Sequence, residues 1–259
     1  MIFDTHAHYD DSAFDDDRDE LLNSLPLAGI DTVVNVASGM NSCITSMDLA
    51  DKYPHVYAAV GVHPAETDGL DESHMRLIEE YCSRKKVVAV GEIGLDYHYP
   101  DTDEAQQKKC FVWQLDIARR KAMPVIIHSR DAAADTMDIM KAEHAEEIGG
   151  VIHCYSYSYD MAKQYVDMGF YIGIGGVVSF KNSRKLKECV EGLPIERLVL
   201  ETDCPYLAPD PYRGQRNSSL YLPRVVEVIS QIKGISEEDV MNITHANALD
   251  LYKRISNES

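Results

Sequence analysis

Two histidines one residue apart, His6 and His8, stand in the run Ile2-Phe3-Asp4-Thr5-His6-Ala7-His8-Tyr9-Asp10. The residues before them predict a short strand near 2–5 that ends at the pair. Side chains two apart on a strand share a face, so both imidazoles can reach one ion. The pattern recurs, because His63, Glu92, His128, His153 and Asp203 each follow an apolar, β-branched run. A single strand-end histidine is ordinarily a hydrogen-bonded structural residue, but several converging on one place are a metal site. Imidazole and carboxylate are the donor set of a divalent hydrolytic metal, with Zn, Mg and Mn all open. One ion takes His6, His8 and Asp203, a second takes His128 and His153, and Glu92 bridges them through its two oxygens. Two such ions, about 3.5–4 Å apart, activate water and clamp attacking and leaving oxygens.

A fold must bring these residues together. Eight apolar runs lie near 2–5, 32–37, 56–62, 87–92, 124–128, 150–153, 170–174 and 197–202, with helical segments between most of them. Continuous apolar strands imply a sheet covered on both faces, hence parallel. Strand–helix alternation repeated eight times in roughly 250 residues predicts an α/β protein, a (β/α)8 TIM barrel, with its active site at the C-terminal strand ends. A doubly wound sheet would need a glycine turn after the first strand, and no glycine precedes Gly29. In the helix expected over 103–122, Phe111, Leu115, Ala118 and Ala122 share a face, with Cys110 and Trp113 at or near the core. Additional C-terminal helices over 220–233 and 236–254 cover the outside of the barrel, the second opening on the acidic run Ser236-Glu237-Glu238-Asp239. The whole of 1–259 reads as one domain.

Other residues could serve the same mouth. Gly91 and Gly94 flank Glu92 and let backbone approach closely. Asp96 either orients a ligand histidine or caps a loop. Glu201, two residues before Asp203, points the same way and holds a histidine or a water. Arg130 faces substrate or forms a surface salt bridge. The segment 209–217 brings Arg213 and Arg216, suited to bidentate phosphate binding, or is an ordinary connector. Asp10 either supports a histidine or belongs to a solvated acidic loop. His55, His74, His98, His144 and His245 read as surface or structural.

With 45% hydrophobic and 26% charged residues the chain is an ordinary globular protein. A net charge of −18 argues against an extended nucleic-acid-binding surface. Any phosphodiester must then be attracted by metal ions and a few local arginines. The six cysteines form no CxxC pair and read as reduced thiols, and no export or membrane segment is evident, which predicts a cytoplasmic protein.

Asp4-Thr5-His6-Ala7-His8, Gly61-Val62-His63-Pro64, Gly91-Glu92-Ile93-Gly94-Leu95-Asp96-Tyr97, His128-Ser129-Arg130 and the run from Leu200 to Pro209 resemble the TatD-type metal-dependent deoxyribonucleases. The resemblance runs in order to about residue 250. It implies a distorted barrel, a divalent-metal centre on His6, His8, Glu92, His128, His153 and Asp203, and a substrate-phosphate contact at His63. Where that family usually continues Phe-Ser-Gly after His-Cys, this chain has Tyr155-Ser156-Tyr157, so Tyr157 is expected to narrow the mouth or stack a base. Ser218 and Ser219, where a proline is frequent, are expected to matter little.

These readings predict a metal-dependent hydrolase, most specifically a 3′–5′ exonuclease acting on DNA, on single-stranded ends or nucleotide fragments. Asp203 would orient the water and accept its proton, and His63, Arg130, Arg213 and Arg216 would hold the phosphate. The competing enzyme cleaves a cyclic amide or an ester such as an aminoacyl-tRNA linkage. A metal-stabilised binding scaffold is the non-catalytic alternative.

Overall fold

The computed structural model describes residues 1–99, 101 and 103–256; residues 257–259 of the expected single domain lie outside it. Eight strands, β1 (Ile2–Ala7), β2 (Ile30–Val36), β3 (Val56–Val60), β4 (Val87–Asp96), β5 (Val125–Arg130), β6 (Gly150–Ile152), β7 (Tyr171–Ile174) and β8 (Leu198–Leu200), form one sheet in sequential order. Every adjacent pair is parallel. Helices α1 (Arg18–Ser24), α2 (Met40–Lys52), α3 (Glu72–Tyr81), α4 (Glu104–Lys121), α5 (Ala133–Ala142), α6 (Tyr159–Asp167) and α7 (Arg184–Gly192) lie between the strands. After β8 come α8 (Leu222–Lys233), α9 (Glu237–Leu251) and α10 (Lys253–Ser256). This is a (β/α)8 TIM barrel, nearly closed.

Burial explains the strand pattern. Every residue of β1, β4, β7 and β8 is buried, because one face meets the helices and the other fills the barrel. The interior takes a residue from each strand: Phe3, Val34, Ala59, Val88, Ile126, Val151, Tyr171 and Val199 form one cluster. Leu251, Tyr252 and Ile255 pack into that same cluster. The C-terminal helices therefore do more than cover the outside. They plug the barrel from one end and leave the other for the site.

Closure between β8 and β1 relies on few ladder contacts, a single bridge joining Ala7 to Cys204. Backbone bonds from the His8 amide to Cys204 (2.8 Å) and from the Asp203 amide to His6 (2.9 Å) extend it, and side chains reinforce the seam. Asp4 accepts hydrogen bonds from the Thr202 amide (3.0 Å), the Thr202 hydroxyl (2.8 Å) and Ser219 (2.6 Å). Ser219 also meets the Tyr9 hydroxyl at 2.8 Å, and Thr5 donates to the Leu200 carbonyl at 2.9 Å. Ser219 is thus a buried part of the seam.

Two boundaries differ from the sequence reading with clear causes. Strand β4 runs to Asp96, beyond the expected 92, because a register shift between Val90 and Ile93 lets it resume pairing with β5. Glu92 therefore lies within a strand. Gly94 makes the resumed pairing possible: its φ is +141°, and a Cβ there would come within 2.0 Å of the His128 carbonyl oxygen. In α4, Phe111, Leu115 and Ala118 are buried as expected, but Ala122 is exposed. It ends the helix in the left-handed conformation (φ 50°), so it cannot continue the apolar face. Cys110 is fully buried and Trp113 half-buried. Among the described residues no helix is long and apolar enough to cross a membrane.

Candidate metal centre

The strand ends deliver the expected residues to one cleft of about 560 Å3, lined by His8, His63, Glu92, His128, His153 and Asp203 among others. His6 lies beneath it, 1% exposed. Glu92 stands at the middle. Its Oε1 is 2.7 Å from His128 Nδ1 and 2.8 Å from His153 Nε2, while its Oε2 is 3.5 Å from His6 Nε2 and 3.8 Å from His8 Nε2. One oxygen faces each histidine pair, the arrangement a bridging carboxylate requires. Asp203 closes the second group, with Oδ1 3.3 Å from His8 and 3.8 Å from His6. It reaches there from the loop after β8, three residues past the strand end, on a left-handed backbone (φ 56°).

The chemistry of this donor set fits divalent cations. His6, His8 and Asp203 offer ligand atoms within 4.8 Å of one another, as do His63, Glu92 and His128, and His6, His153 and Glu201. His6 and His8 bring their Nε2 atoms to 3.0 Å, with His8 Nδ1 bound to the Val36 carbonyl at 2.7 Å. A proton on His8 Nδ1 leaves its Nε2 lone pair for the cleft. Burial works against charge on Glu92, yet His153, His63 and the His128 hydrogen bond hold its carboxyl well below the usual range. Asp203 is likewise kept low against burial, chiefly by its hydrogen bond to His8. Both carboxylates are therefore anionic and matched to cations.

Supporting residues divide clearly. Asp96 Oδ2 sits 3.1 Å from His128 Nε2, so that ring lies between two carboxylates, while Asp96 Oδ1 accepts the His98 amide at 2.9 Å, so both readings of Asp96 find a contact. Glu201 is buried beside His153. His63 accepts the Ala65 amide at Nδ1 (3.1 Å). Burial lowers its pKa to about 4, so the ring is neutral with its proton on Nε2, which lies 3.9 Å from Glu92. In this tautomer Nε2–H is a hydrogen-bond donor turned to the cleft.

The arginines separate. Arg130 lines the cleft, over the exposed ring of Tyr99. Arg213 instead covers the ring of Phe180 at 4.4 Å and is not among the cleft-lining residues. Arg216 is committed to both carboxylate oxygens of Asp17 (2.7 and 2.5 Å) and to the Ala13 carbonyl. The loop thus uses Arg213 and Arg216 to hold itself in place, and neither reaches the cleft as the phosphate-binding reading required. Tyr157 also points elsewhere. Its hydroxyl meets Ser129 Oγ at 3.1 Å and accepts the Ala132 amide, and it is not among the cleft-lining residues.

Asp10 lines the cleft and accepts from Asn35, Ser42 and Thr45, which ties the loop after β1 to α2. His74 belongs to the capping box of α3, and His245 pairs with Asp31. Sequence reasoning missed the Asp4 seam and the rim formed by Tyr99 and Tyr206, which are 54% and 55% exposed. A carboxylate inside an apolar strand was the available signal for Asp4. Nothing in the spacing of Tyr99 and Tyr206 brings them together.

The family model of the TatD-related DNases matches residues 3–253. The chain belongs to that family. Among the relatives of this TatD-family chain is an uncharacterized metal-dependent hydrolase, YabD of Bacillus subtilis, 38% identical over 98% of this chain and 99% of that one. The uncharacterized metal-dependent hydrolase TatD of Mycobacterium tuberculosis is 36% identical, covering 97% of each. The solved TatD homologue YjjV of Escherichia coli superposes with a TM-score of 0.91 at 29% identity, over 97% of this chain and 98% of that one. The TatD-family protein is accordingly a metal-dependent hydrolase.

Proposed function

We propose that this hydrolase is a deoxyribonuclease that trims DNA from 3′ ends, working in the cytoplasm, where its free cysteines stay reduced. The observation that carries this reading is the pairing, in one cleft, of the neutral His63 donor with Arg130. Among the described residues Arg130 is the one lysine or arginine that lines the cleft. Two donors of that kind suit a single phosphate. Asp10 and Asp11 also line the mouth, so an extended polyanion would be repelled and only a chain end admitted.

Two divalent ions, one on His6, His8 and Asp203 and one on His128 and His153 with Glu92 between them, would supply Lewis acidity and a water of lowered pKa. His63 Nε2–H donates to a non-bridging phosphoryl oxygen as charge grows there. Arg130 offers a second, charge-assisted contact to the same group. Asp203, held anionic, orients the attacking water and receives its proton. Asp96 keeps the His128 ring from turning.

The test is a parallel assay of metal-loaded protein on single-stranded DNA, duplex DNA, a simple phosphodiester and a cyclic amide. Release of mononucleotides from 3′ ends supports the proposal. Hydrolysis of the amide with inert DNA overturns it in favour of carbonyl chemistry.

A further inference from the structure

Three buried polar atoms at the floor of the cleft have no hydrogen-bond partner: His6 Nδ1, His153 Nδ1 and Glu201 Oε2. They belong to residues that share one compact group. The two imidazoles stack with centroids 3.8 Å apart and planes 14° from parallel. Each turns its Nε2 toward Glu92, which leaves each Nδ1 on the far side. Glu201 Oε1 accepts the Cys154 amide at 2.5 Å and lies 3.7 Å from His153 Nδ1. Unmet polar atoms in a buried place are costly, and three of complementary kind in one place point to a shared purpose.

A cradle holds the carboxylate there. On β7, a Cβ at Gly173 would come within 2.2 Å of Glu201 Oε2 and 2.8 Å of Oε1. The absence of a side chain at Gly173 is what leaves room for the Glu201 carboxylate beside His153.

We propose that Glu201 is a positioning residue that receives the Nδ1 protons of both His6 and His153, fixing both tautomers and coupling the two metal positions. This deepens the metal-centre reading and rests on it. A histidine that ligates through Nε2 must carry its proton on Nδ1, and an acceptor on that side selects this tautomer. His6 serves the group containing His8 and Asp203, whereas His153 serves the group containing His128. A ring nitrogen of each histidine and an oxygen of Glu201 lie within 4.8 Å of one another, so one carboxylate is placed to orient one ligand of each ion. Glutamine at 201 cannot replace it. Its single carbonyl oxygen can face either the Cys154 amide or the ring protons, and its NH2 opposes whichever donor remains.

Two measurements test this. Calorimetric titration of chelator-stripped full-length protein with Mn2+ should give two binding steps, and Glu201→Gln should weaken at least one of them about tenfold or more, in line with lost outer-shell partners. Gly173→Ala, which fills the cradle and leaves Glu201 in place, should act in the same direction. Nitrogen-15 spectra of the histidines in the metal-loaded parent should show His6 and His153 protonated at Nδ1, and Glu201→Gln should shift both signals. Failure of the parent to bind Mn2+ would count against the metal reading itself. Two parent-like binding steps in Glu201→Gln, or Nε2 protons on His6 and His153 in the parent, would overturn the role of Glu201.

Discussion

Arg216 grips Asp17 with two nitrogens, Nη1 to Oδ1 at 2.7 Å and Nη2 to Oδ2 at 2.5 Å, and so lashes the loop after β8 to the N-terminus of α1. The guanidinium also covers the Phe14 ring at 4.7 Å. Both partners are partly exposed, so the pair contributes modestly to stability. Arg216→Ala and Asp17→Ala should each lower the melting temperature slightly and should not be additive, while metal content stays at the parent's value. Thermal melts of the two single variants and the double variant check this.

Arg130 should behave differently. Arg130→Ala removes a charge-assisted contact worth about 1.5–3 kcal/mol, so kcat/KM on single-stranded DNA should fall roughly 10- to 100-fold with metal retained. Arg213→Ala should leave the rate nearly unchanged, because its guanidinium rests on Phe180. Steady-state kinetics on the two variants distinguish a cleft arginine from a loop arginine.

Glu92→Gln keeps the shape of the side chain and removes the charge that faces both histidine pairs. Elemental analysis should find less than the parent's metal, and turnover should be lost, with the far-ultraviolet circular dichroism unchanged. Full metal occupancy with near-parent activity would show that Glu92 does not bridge.

The pH dependence of His63 has a definite sign. Burial lowers its pKa to about 4, so the ring gains charge only as pH falls toward that value and is neutral from pH 5 to 8. Nearby cations would lower it further. His63→Gln, which keeps an N–H donor, should retain more activity than His63→Ala. Neither should change the shape of the kcat/KM profile between pH 5 and 8. An inflection near 6.5 that vanishes in both variants would mean that His63 titrates during turnover.

Gly94→Ala should be among the most damaging small substitutions in the barrel. The new Cβ would meet the His128 carbonyl at 2.0 Å on a backbone of positive φ. A loss of about 1–3 kcal/mol is expected from overpacking alone, with more from the backbone conformation. Denaturant unfolding of the variant reads it directly.

The convergence of the cleft residues was legible because their positions obey strand periodicity. His6 and His8 are two apart, and His128 and His153 end apolar runs that had to be strands. Asp203 was legible for a different reason, since its loop follows the last apolar run even though β8 stops at Leu200. What stayed hidden depends on contacts distant in sequence. Arg216 reads as a phosphate ligand until Asp17, about 200 positions away, is seen beside it. Tyr157 reads as a mouth residue until its hydroxyl is found on Ser129. The pairing of Asp4 with Ser219 spans 215 positions, and no local pattern announces it.

The seam between the first strand and the loop after the eighth has a consequence for biosynthesis. His6 and His8 are made well before Asp203 and the Thr202 and Ser219 residues whose contacts lock Asp4. At a translation rate of about 5–20 residues per second, roughly ten to forty seconds separate them. A nascent chain carries two exposed imidazoles through that interval without the carboxylate that completes their group. Any metal capture that needs all three side chains therefore belongs to the finished barrel, and a ribosome-bound chain truncated before Asp203 has only a loose histidine pair to offer.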